Sequence, residues 1–345
     1  MKSNRIVYFD VLNILACLAV VFMHCNNMVH VYAPGPNWLC SLVIEVICWW
    51  AVPIFLMLSG ATLMRYRDRY DTKTFFKKRV VRTFVPFLLW SIFIYIVRFG
   101  IAATPEEAAK FGLLDFWTLF MSSGIEGVYW FFFPLFALYL AYPALSLLSN
   151  ERKVLWYLAG TFFVLQSIIP PVLGMLKLSW NPSISQPMVT TFVFYAILGY
   201  LASTEDFSKK TRLTIYGLGI FAIVFRYVNM AIMSAQVGEV VKTASIDYGY
   251  FTGVLPALAA FVFFKQIDFS SLNERAIGVI AKVASCSFGV YLIHRLFIHD
   301  LIAVILKVSQ TSIALRTIAP ILIWIACIVI VLGLKKVPVL RRVVP

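Results

Sequence analysis

Four side chains recur at helical spacing in the first apolar run of the sequence, YFDVLNILACLAVVFMHC, residues 8–25. Asp10, Asn13, Cys17 and His24 fall within about 60° of one another on an α-helix, and Asn13 and His24 are close to three whole turns apart. Ionisable groups in a membrane span usually face a bundle interior or a partner. An imidazole at the end of such a stripe can act as a general base that takes a proton from a hydroxyl group.

The second apolar run carries a carboxylate at a depth comparable with that of His24. This run returns toward the cytoplasm, and Glu45 lies about two turns below its outer end. A carboxylate bonded to an imidazole orients the ring and raises its basicity. We therefore predict that His24 and Glu45 form a catalytic pair, and a purely structural contact between two helices is the alternative interpretation.

A further group of functional side chains lies in SCSFGVYLIHR, residues 285–295. Ser287, Tyr291 and His294 stand at positions i, i+4 and i+7, so they share one face of a helix. His294 is then near the middle of the membrane, where a polar group marks a candidate site. We interpret His294 as a candidate substrate-binding residue.

The segment FFKKRVVRTFVP, residues 75–86, is basic and precedes the third apolar run. Arg79 and Arg82 are one helical turn apart at its mouth. Guanidinium groups suit phosphate, so the pair is a candidate anchor for a phosphorylated cosubstrate. The alternative is a juxtamembrane charge that sets topology and binds anionic lipid.

The connector on the opposite side of the membrane is acidic and leads into EGVYWFFFPLF, residues 126–136. Glu126 and Trp130 are candidates for binding a sugar, because an indole ring can stack on a sugar ring. Trp130 could equally belong to an interfacial aromatic belt.

The composition places these residues in an integral membrane protein. The chain has 345 residues, of which 61% are hydrophobic and 13% charged, and its mean hydropathy is +0.86. A membrane helix needs about 20 mostly apolar residues, and such runs leave no room for a soluble domain. We predict a single all-α domain over residues 1–345, a bundle of about ten transmembrane helices. The predicted spans are 7–28, 39–64, 82–103, 128–148, 154–173, 188–203, 213–234, 248–266, 283–305 and 312–334.

The net charge of +14 follows from the distribution of basic residues around these spans. With the N-terminus in the cytoplasm, 22 of the 30 Lys and Arg residues lie on the cytoplasmic side. This bias predicts that both termini are cytoplasmic, and it explains the charge without a nucleic-acid partner. The six cysteines show no CxxC pair and no zinc-ligand spacing, so we predict no metal site.

Several of these segments together resemble acyltransferase family 3, whose members include integral-membrane enzymes that O-acetylate surface polysaccharides, lipopolysaccharide and peptidoglycan. The segments are FDVLNILACLAVVFMHC, VPIFLMLSGATL, FFKKRVVRTFVPFLLW, YWFFFPLFALYLAYPAL and SFGVYLIH. They occur in the family's order and span nearly the whole chain.

The resemblance implies transfer of an acyl group, usually acetyl, from cytoplasmic acyl-CoA to a cell-surface or lipid-linked glycan at the outer face of the bacterial inner membrane. His24 falls on the family's key histidine, as general base or as an acyl relay. Arg79 and Arg82 fall on its arginines for the CoA side. The family commonly has an arginine where this chain has Asn13, whose amide can bond a pantetheine carbonyl but cannot neutralise a charge.

Two other functions fit parts of the sequence. Polar stripes also suit a transporter or flippase for an amino acid or an acylated intermediate, and the family supplies membrane halves of racemase fusions for which substrate import has been suggested. A noncatalytic scaffold in an envelope-assembly complex is the second alternative. The sequence contains no inverted repeat of the common transporter pattern, which favours the enzyme.

Overall fold

The computed structural model describes residues 5–102, 104–183, 185–241, 247–305 and 312–345, and every regular element in these ranges is helical. The α-helices in chain order are α1 Val7–His24, α2 Pro36–Cys48, α3 Ala51–Leu63, α4 Thr72–Arg79, α5 Val85–Tyr95, α6 Pro105–Ala108, α7 Leu113–Met121, α8 Phe132–Leu145, α9 Arg152–Phe162, α10 Ile169–Met175, α11 Thr191–Thr204, α12 Lys209–Val237, α13 Phe251–Gln266, α14 Glu274–Ala284, α15 Ser287–Arg295, α16 Ile313–Thr317 and α17 Ala319–Lys336. Segments of π-helix lie at Val80–Phe84, Ile96–Ile101, Phe163–Ile168 and Leu296–Ile305. Short 3₁₀ turns lie at Asn27–His30, Tyr66–Asp68, Gly127–Phe131, Ser146–Leu148 and Leu340–Arg342.

Among the described residues, eight helical stretches are long and apolar enough to cross a membrane. They are Val7–His24, Pro36–Asp68, Thr72–Ile101, Gly127–Leu148, Arg152–Met175, Lys209–Val237, Glu274–Leu301 and Ala319–Lys336. Two shorter apolar helices, α11 with 14 residues and α13 with 16 residues, occupy the remaining predicted spans. The all-α fold class is confirmed, while the count of ten spans and the cytoplasmic position of both termini stay predictions.

The short helix α11 lies in the interior of the bundle, and each residue from Phe194 to Ala202 is buried. Its backbone approaches that of α3 closely at two glycines. A Cβ atom on Gly60 would lie 1.9 Å from the carbonyl oxygen of Ala196, and one on Gly199 would lie 2.1 Å from that of Met57. Small residues at a helix contact let backbones approach in this way, so α3 and α11 form the centre of the fold.

Proline and π-helical turns bend several spans. Pro53 lacks the N–H group that would bond the carbonyl of Trp49, and the second span is divided there into α2 and α3. The segments Val80–Phe84 and Leu296–Ile305 insert wider π-helical turns into the helical stretches that begin at Thr72 and at Glu274. Such turns change which side chains share a face downstream, and they are frequent at functional sites.

Helix α1 packs against α3, α14, α15 and α17. Leu12, Ala16 and Cys17 are buried at these contacts. The polar stripe on α1 therefore faces other helices of the bundle.

Candidate active site

Two histidines from opposite ends of the sequence meet at the end of the α1 stripe. Nδ1 of His24 lies 2.7 Å from Nε2 of His294, and the two rings stack with centroids 4.9 Å apart and planes 16° apart. His294 is fully buried, while His24 is partly exposed. The two candidates predicted separately thus form a hydrogen-bonded pair.

The hydrogen bonds of His294 fix the tautomer of both rings. Nδ1 of His294 lies 2.8 Å from the carbonyl oxygen of Tyr291 and 3.1 Å from that of Val290. A carbonyl oxygen only accepts, so Nδ1 of neutral His294 carries the proton and its Nε2 is an acceptor. His24 must then donate from Nδ1, which leaves Nε2 of His24 with a free lone pair. That nitrogen is available to act as a base.

The α1 stripe lies along a single neighbouring segment. The side-chain amide of Asn13 donates to the carbonyl oxygen of Ala284 at 3.1 Å. The thiol of Cys17 donates to the backbone carbonyl oxygen of Ser287 at 3.7 Å. Together with the histidine pair, these contacts advance in the same direction on α1 and on the segment from α14 to α15. Three residues of the predicted stripe thus face the segment that contains the second predicted cluster.

The predicted pairing of His24 with Glu45 is wrong. The described ion-pair partner of Glu45 is Arg226 on α12, whose Nη2 lies 3.9 Å from Oε1 of the carboxylate. The guanidinium of Arg226 also lies 3.7 Å from the ring centroid of Trp49. Arg226 is only 3% exposed, and a buried cation needs an anionic partner. The carboxylate of Glu45 therefore faces Arg226 on α12.

A cavity of about 380 Å³ opens beside the beginning of α1. Its lining includes Asn13 and Arg79, two of the candidate cosubstrate residues, together with Ser59 and Tyr291. The ring of Tyr291 lies 5.7 Å from that of His294. The cavity is large enough for part of an extended ligand, since small-molecule sites measure about 300–1,000 Å³. Its lining reaches Tyr291, one helical turn before His294 on α15, and Asn13, about three turns before His24 on α1.

The structure separates the two predicted arginines of the third span. Arg79 lines the cavity, its guanidinium lies 5.6 Å from the ring centroid of Tyr139, and its Nε is buried without a hydrogen-bond partner. Arg82 is exposed and does not belong to the described lining. A π-helical segment, Val80–Phe84, begins directly after Arg79 and contains Arg82. The role of the two arginines as an anchor for a phosphorylated cosubstrate stays a prediction.

Glu126 is engaged by two arginines. Its Oε2 accepts from Nη1 of Arg98 at 2.9 Å, and its Oε1 lies 3.4 Å from Nε of Arg295. The carboxylate is 3% exposed and is engaged in ion pairs, and the use of Glu126 as a sugar ligand stays a prediction. The sequence did not identify Arg98 and Arg295 as the partners of Glu126. Both are charged residues within apolar runs, which makes each a candidate for a buried contact.

Trp130 stands in a column of aromatic rings. Its ring is stacked on that of Tyr248 with centroids 6.0 Å apart, and Tyr248 is stacked on Trp49 at 4.2 Å. The ring of Trp49 also contacts the guanidinium of Arg226. The column therefore connects Trp130 to the ion pair between Arg226 and Glu45. Trp130 is partly exposed. Its use as a stacking surface for a sugar stays a prediction.

The comparisons with known proteins give one match. A family model described as an acyltransferase domain matches residues 6–335. No curated protein and no solved structure matches the chain. The match includes every candidate residue discussed above.

Proposed function

The chain belongs to the acyltransferase family whose domain model covers residues 6–335. From this membership we propose the acyl donor, the acceptor and the mechanism of this membrane acyltransferase. The donor is cytoplasmic acyl-CoA, with acetyl as the acyl group. The acceptor is a hydroxyl of a cell-surface or lipid-linked glycan at the outer face of the cell membrane.

The observation that carries this proposal is the hydrogen bond between His24 and His294. Its 2.7 Å length and the carbonyl contacts of His294 support the tautomer in which Nδ1 of His24 carries the proton and Nε2 is the base. A lone pair on a ring that is held by a second group is the arrangement needed for a general base. His24 is therefore the proposed catalytic residue, and His294 is a positioning residue rather than a substrate contact.

The proposed reaction is direct acyl transfer. Nε2 of His24 takes the proton of the acceptor hydroxyl while the acceptor oxygen bonds to the thioester carbonyl carbon. The π electrons of the carbonyl move to its oxygen and return when the carbon–sulfur bond breaks. The CoA thiolate leaves with that bonding pair and receives the proton from His24. An acyl-histidine intermediate on Nε2 is the variant in which His24 itself attacks the carbonyl.

The cavity supports the proposed path of the donor. Arg79 at its lining has a buried Nε without a partner, which suits a phosphate or another anionic ligand group. Asn13 lies farther along α1 in the same lining, where its amide oxygen can accept from a pantetheine N–H. Arg82 lies outside the cavity, so its proposed contact is with the exposed nucleotide end of acyl-CoA.

A transfer assay with a matched histidine variant tests the proposal. Membranes that contain the protein are given acetyl-CoA labelled in the acetyl group, and released envelope glycans are analysed for label and for the mass of one added acetyl group. We expect His24→Gln to lower transfer by about 10²–10⁴-fold, the range of general-base catalysis. His30→Gln, which changes an exposed imidazole at the same end of the protein, is the control.

Two results would contradict the proposal. Undiminished transfer by His24→Gln at equal membrane abundance eliminates the base. Uptake of a small substrate into proteoliposomes without any acyl donor, combined with no acyl transfer, would instead establish the transporter alternative.

A further inference from the structure

The residue that follows His294 is an arginine held beside the histidine pair by a buried carboxylate. Nε of Arg295 lies 3.4 Å from Oε1 of Glu126, and the other oxygen of Glu126 accepts from Arg98 at 2.9 Å. Arg98 also binds Asp300 with two hydrogen bonds, 2.9 Å from Nη2 and 3.2 Å from Nε. Through Glu126, this charged network joins the helical stretch Thr72–Ile101, which contains Arg98, to the stretch Glu274–Leu301, which contains Arg295 and Asp300.

Arg295 has hydrogen-bonding capacity that the protein does not use. Its Nε is buried, and the 3.4 Å contact with Glu126 does not meet hydrogen-bond geometry. Across the described ranges, neither Nη group of Arg295 donates a hydrogen bond to another residue. A guanidinium has five N–H donors. The side chain is 21% exposed, so a ligand atom can reach it.

The position of Arg295 on α15 directs it toward the reacting end of the cavity. Tyr291 lines the cavity, and Arg295 stands four residues later, so the two side chains lie on the same face of the helix one turn apart. Arg295 directly follows His294, which lies 2.7 Å from His24. A thioester that moves from the cavity along the Tyr291 face of α15 toward His24 would therefore approach Arg295.

The other arginines discussed have different locations or partners. Arg79 belongs to the cavity lining, whereas Arg226 is engaged by Glu45 and Trp49. Asn13, a neutral amide, donates to the carbonyl of Ala284. Arg295 is the arginine with unused donors next to the proposed base.

We propose that Arg295 is a second catalytic residue, which stabilises the negative charge that develops on the thioester carbonyl oxygen. This inference rests on the proposed acyl transfer. As the acceptor oxygen bonds to the carbonyl carbon and His24 takes the acceptor proton, the π electron pair moves onto the carbonyl oxygen. N–H groups of Arg295 donate to that oxygen until the pair returns and the CoA thiolate departs with the electrons of the carbon–sulfur bond. Glu126 and Arg98 position the guanidinium.

Steady-state kinetics with labelled acetyl-CoA test the role of Arg295. We expect Arg295→Gln to lower kcat by about 10²–10³-fold, the effect of removing one oxyanion donor, with little change in KM for acetyl-CoA. Arg295→Lys keeps a cation and should retain more kcat than Arg295→Gln. The matched control is Arg65→Gln, because Arg65 forms an exposed ion pair with Asp68 and is expected to leave kcat unchanged.

Chemical rescue provides a readout that a structural role would not change. Free guanidinium ion should restore part of the kcat of Arg295→Ala, whereas sodium chloride at equal ionic strength should not. Folding of each variant is followed by size-exclusion chromatography in detergent. If Arg295→Ala does not fold, the comparison of Arg295→Lys with Arg295→Gln decides the question, and equal kcat values for these two would overturn the inference.

The outcomes separate this inference from the proposed function. Acyl transfer that requires His24 but retains wild-type kcat in Arg295→Gln overturns only the role of Arg295. An effect of Arg295→Gln confined to KM also overturns it, because stabilisation of the transition state must appear in kcat. Absence of acyl transfer by the wild-type protein overturns both proposals.

Discussion

At the scale of single residues, the tautomer of His24 depends on a fully buried neighbour, His294. His294 is anchored by two backbone carbonyls of its own helix and presents an acceptor to Nδ1 of His24. Without that acceptor, the His24 ring can rotate or adopt the other tautomer, and Nε2 would no longer be a dedicated base. Partners of this kind typically change activity by about 10–100-fold when they are mutated.

Substitution of His294 tests this dependence. His294→Phe keeps a planar ring but removes the acceptor, so we expect kcat to fall by about 10–100-fold with KM for acetyl-CoA little changed. His294→Gln keeps an acceptor oxygen and should lose less. Initial rates over a range of acetyl-CoA concentrations measure both constants, and equal losses in the two variants would contradict the positioning role.

Sequence analysis predicted the residues of this site better than their partners. Helical phase was sufficient to group Asn13, Cys17 and His24, because they belong to one helix with fixed geometry. The partner of His24 lies 270 residues away along the chain, and depth alone favoured Glu45. Depth does not determine which face of a helix meets which neighbour, and that choice is made by the packing of the whole bundle.

At the scale of helices, a π-helical segment begins between two neighbouring arginines of one span. Helical spacing puts Arg79 and Arg82 one turn apart at the mouth of the third span. In the structure a π-helical turn spans Val80–Phe84, and Arg79 lines the cavity while Arg82 does not. Residue spacing does not reveal such a turn, because it depends on tertiary contacts.

Kinetics of two arginine variants test this difference between neighbouring positions. Arg79→Gln should raise KM for acetyl-CoA by about 10–100-fold, because a hydrogen bond to a charged group contributes about 1.5–3 kcal/mol. Arg82→Gln removes an exposed charge and should raise KM much less, with the difference shrinking at high salt. Equal effects of the two variants at physiological salt would contradict the separation.

At the scale of the whole molecule, the basic residues and the site predict the same orientation. The cavity opens at the end of the bundle where α1 begins, and the basic segment before the third span lies at that end. The bias of 22 among 30 basic residues predicts that this end is cytoplasmic. Acyl-CoA, the proposed donor, is a cytoplasmic metabolite, so the predicted orientation would give it access to the cavity.

Cysteine labelling tests the orientation of the chain. In a variant that lacks the six native cysteines, Ser122→Cys follows α7 on the predicted outer side, and Ser271→Cys precedes α14 on the predicted inner side. Both native serines are exposed. A membrane-impermeant maleimide should label Ser122→Cys in intact cells and Ser271→Cys only after permeabilisation, and the reverse pattern would place the cavity mouth outside.

The pairing of α1 with α15 also sets the order of events during synthesis. Domains and spans emerge from the ribosome in chain order, so His24 enters the membrane long before His294 and Arg295 exist. The base acquires its tautomer, and the proposed oxyanion site its cation, only after nearly 300 residues have been made. A partly translated chain can therefore carry His24 in the bilayer without the proposed site for acyl transfer, and the site is complete only once the final helices have been made.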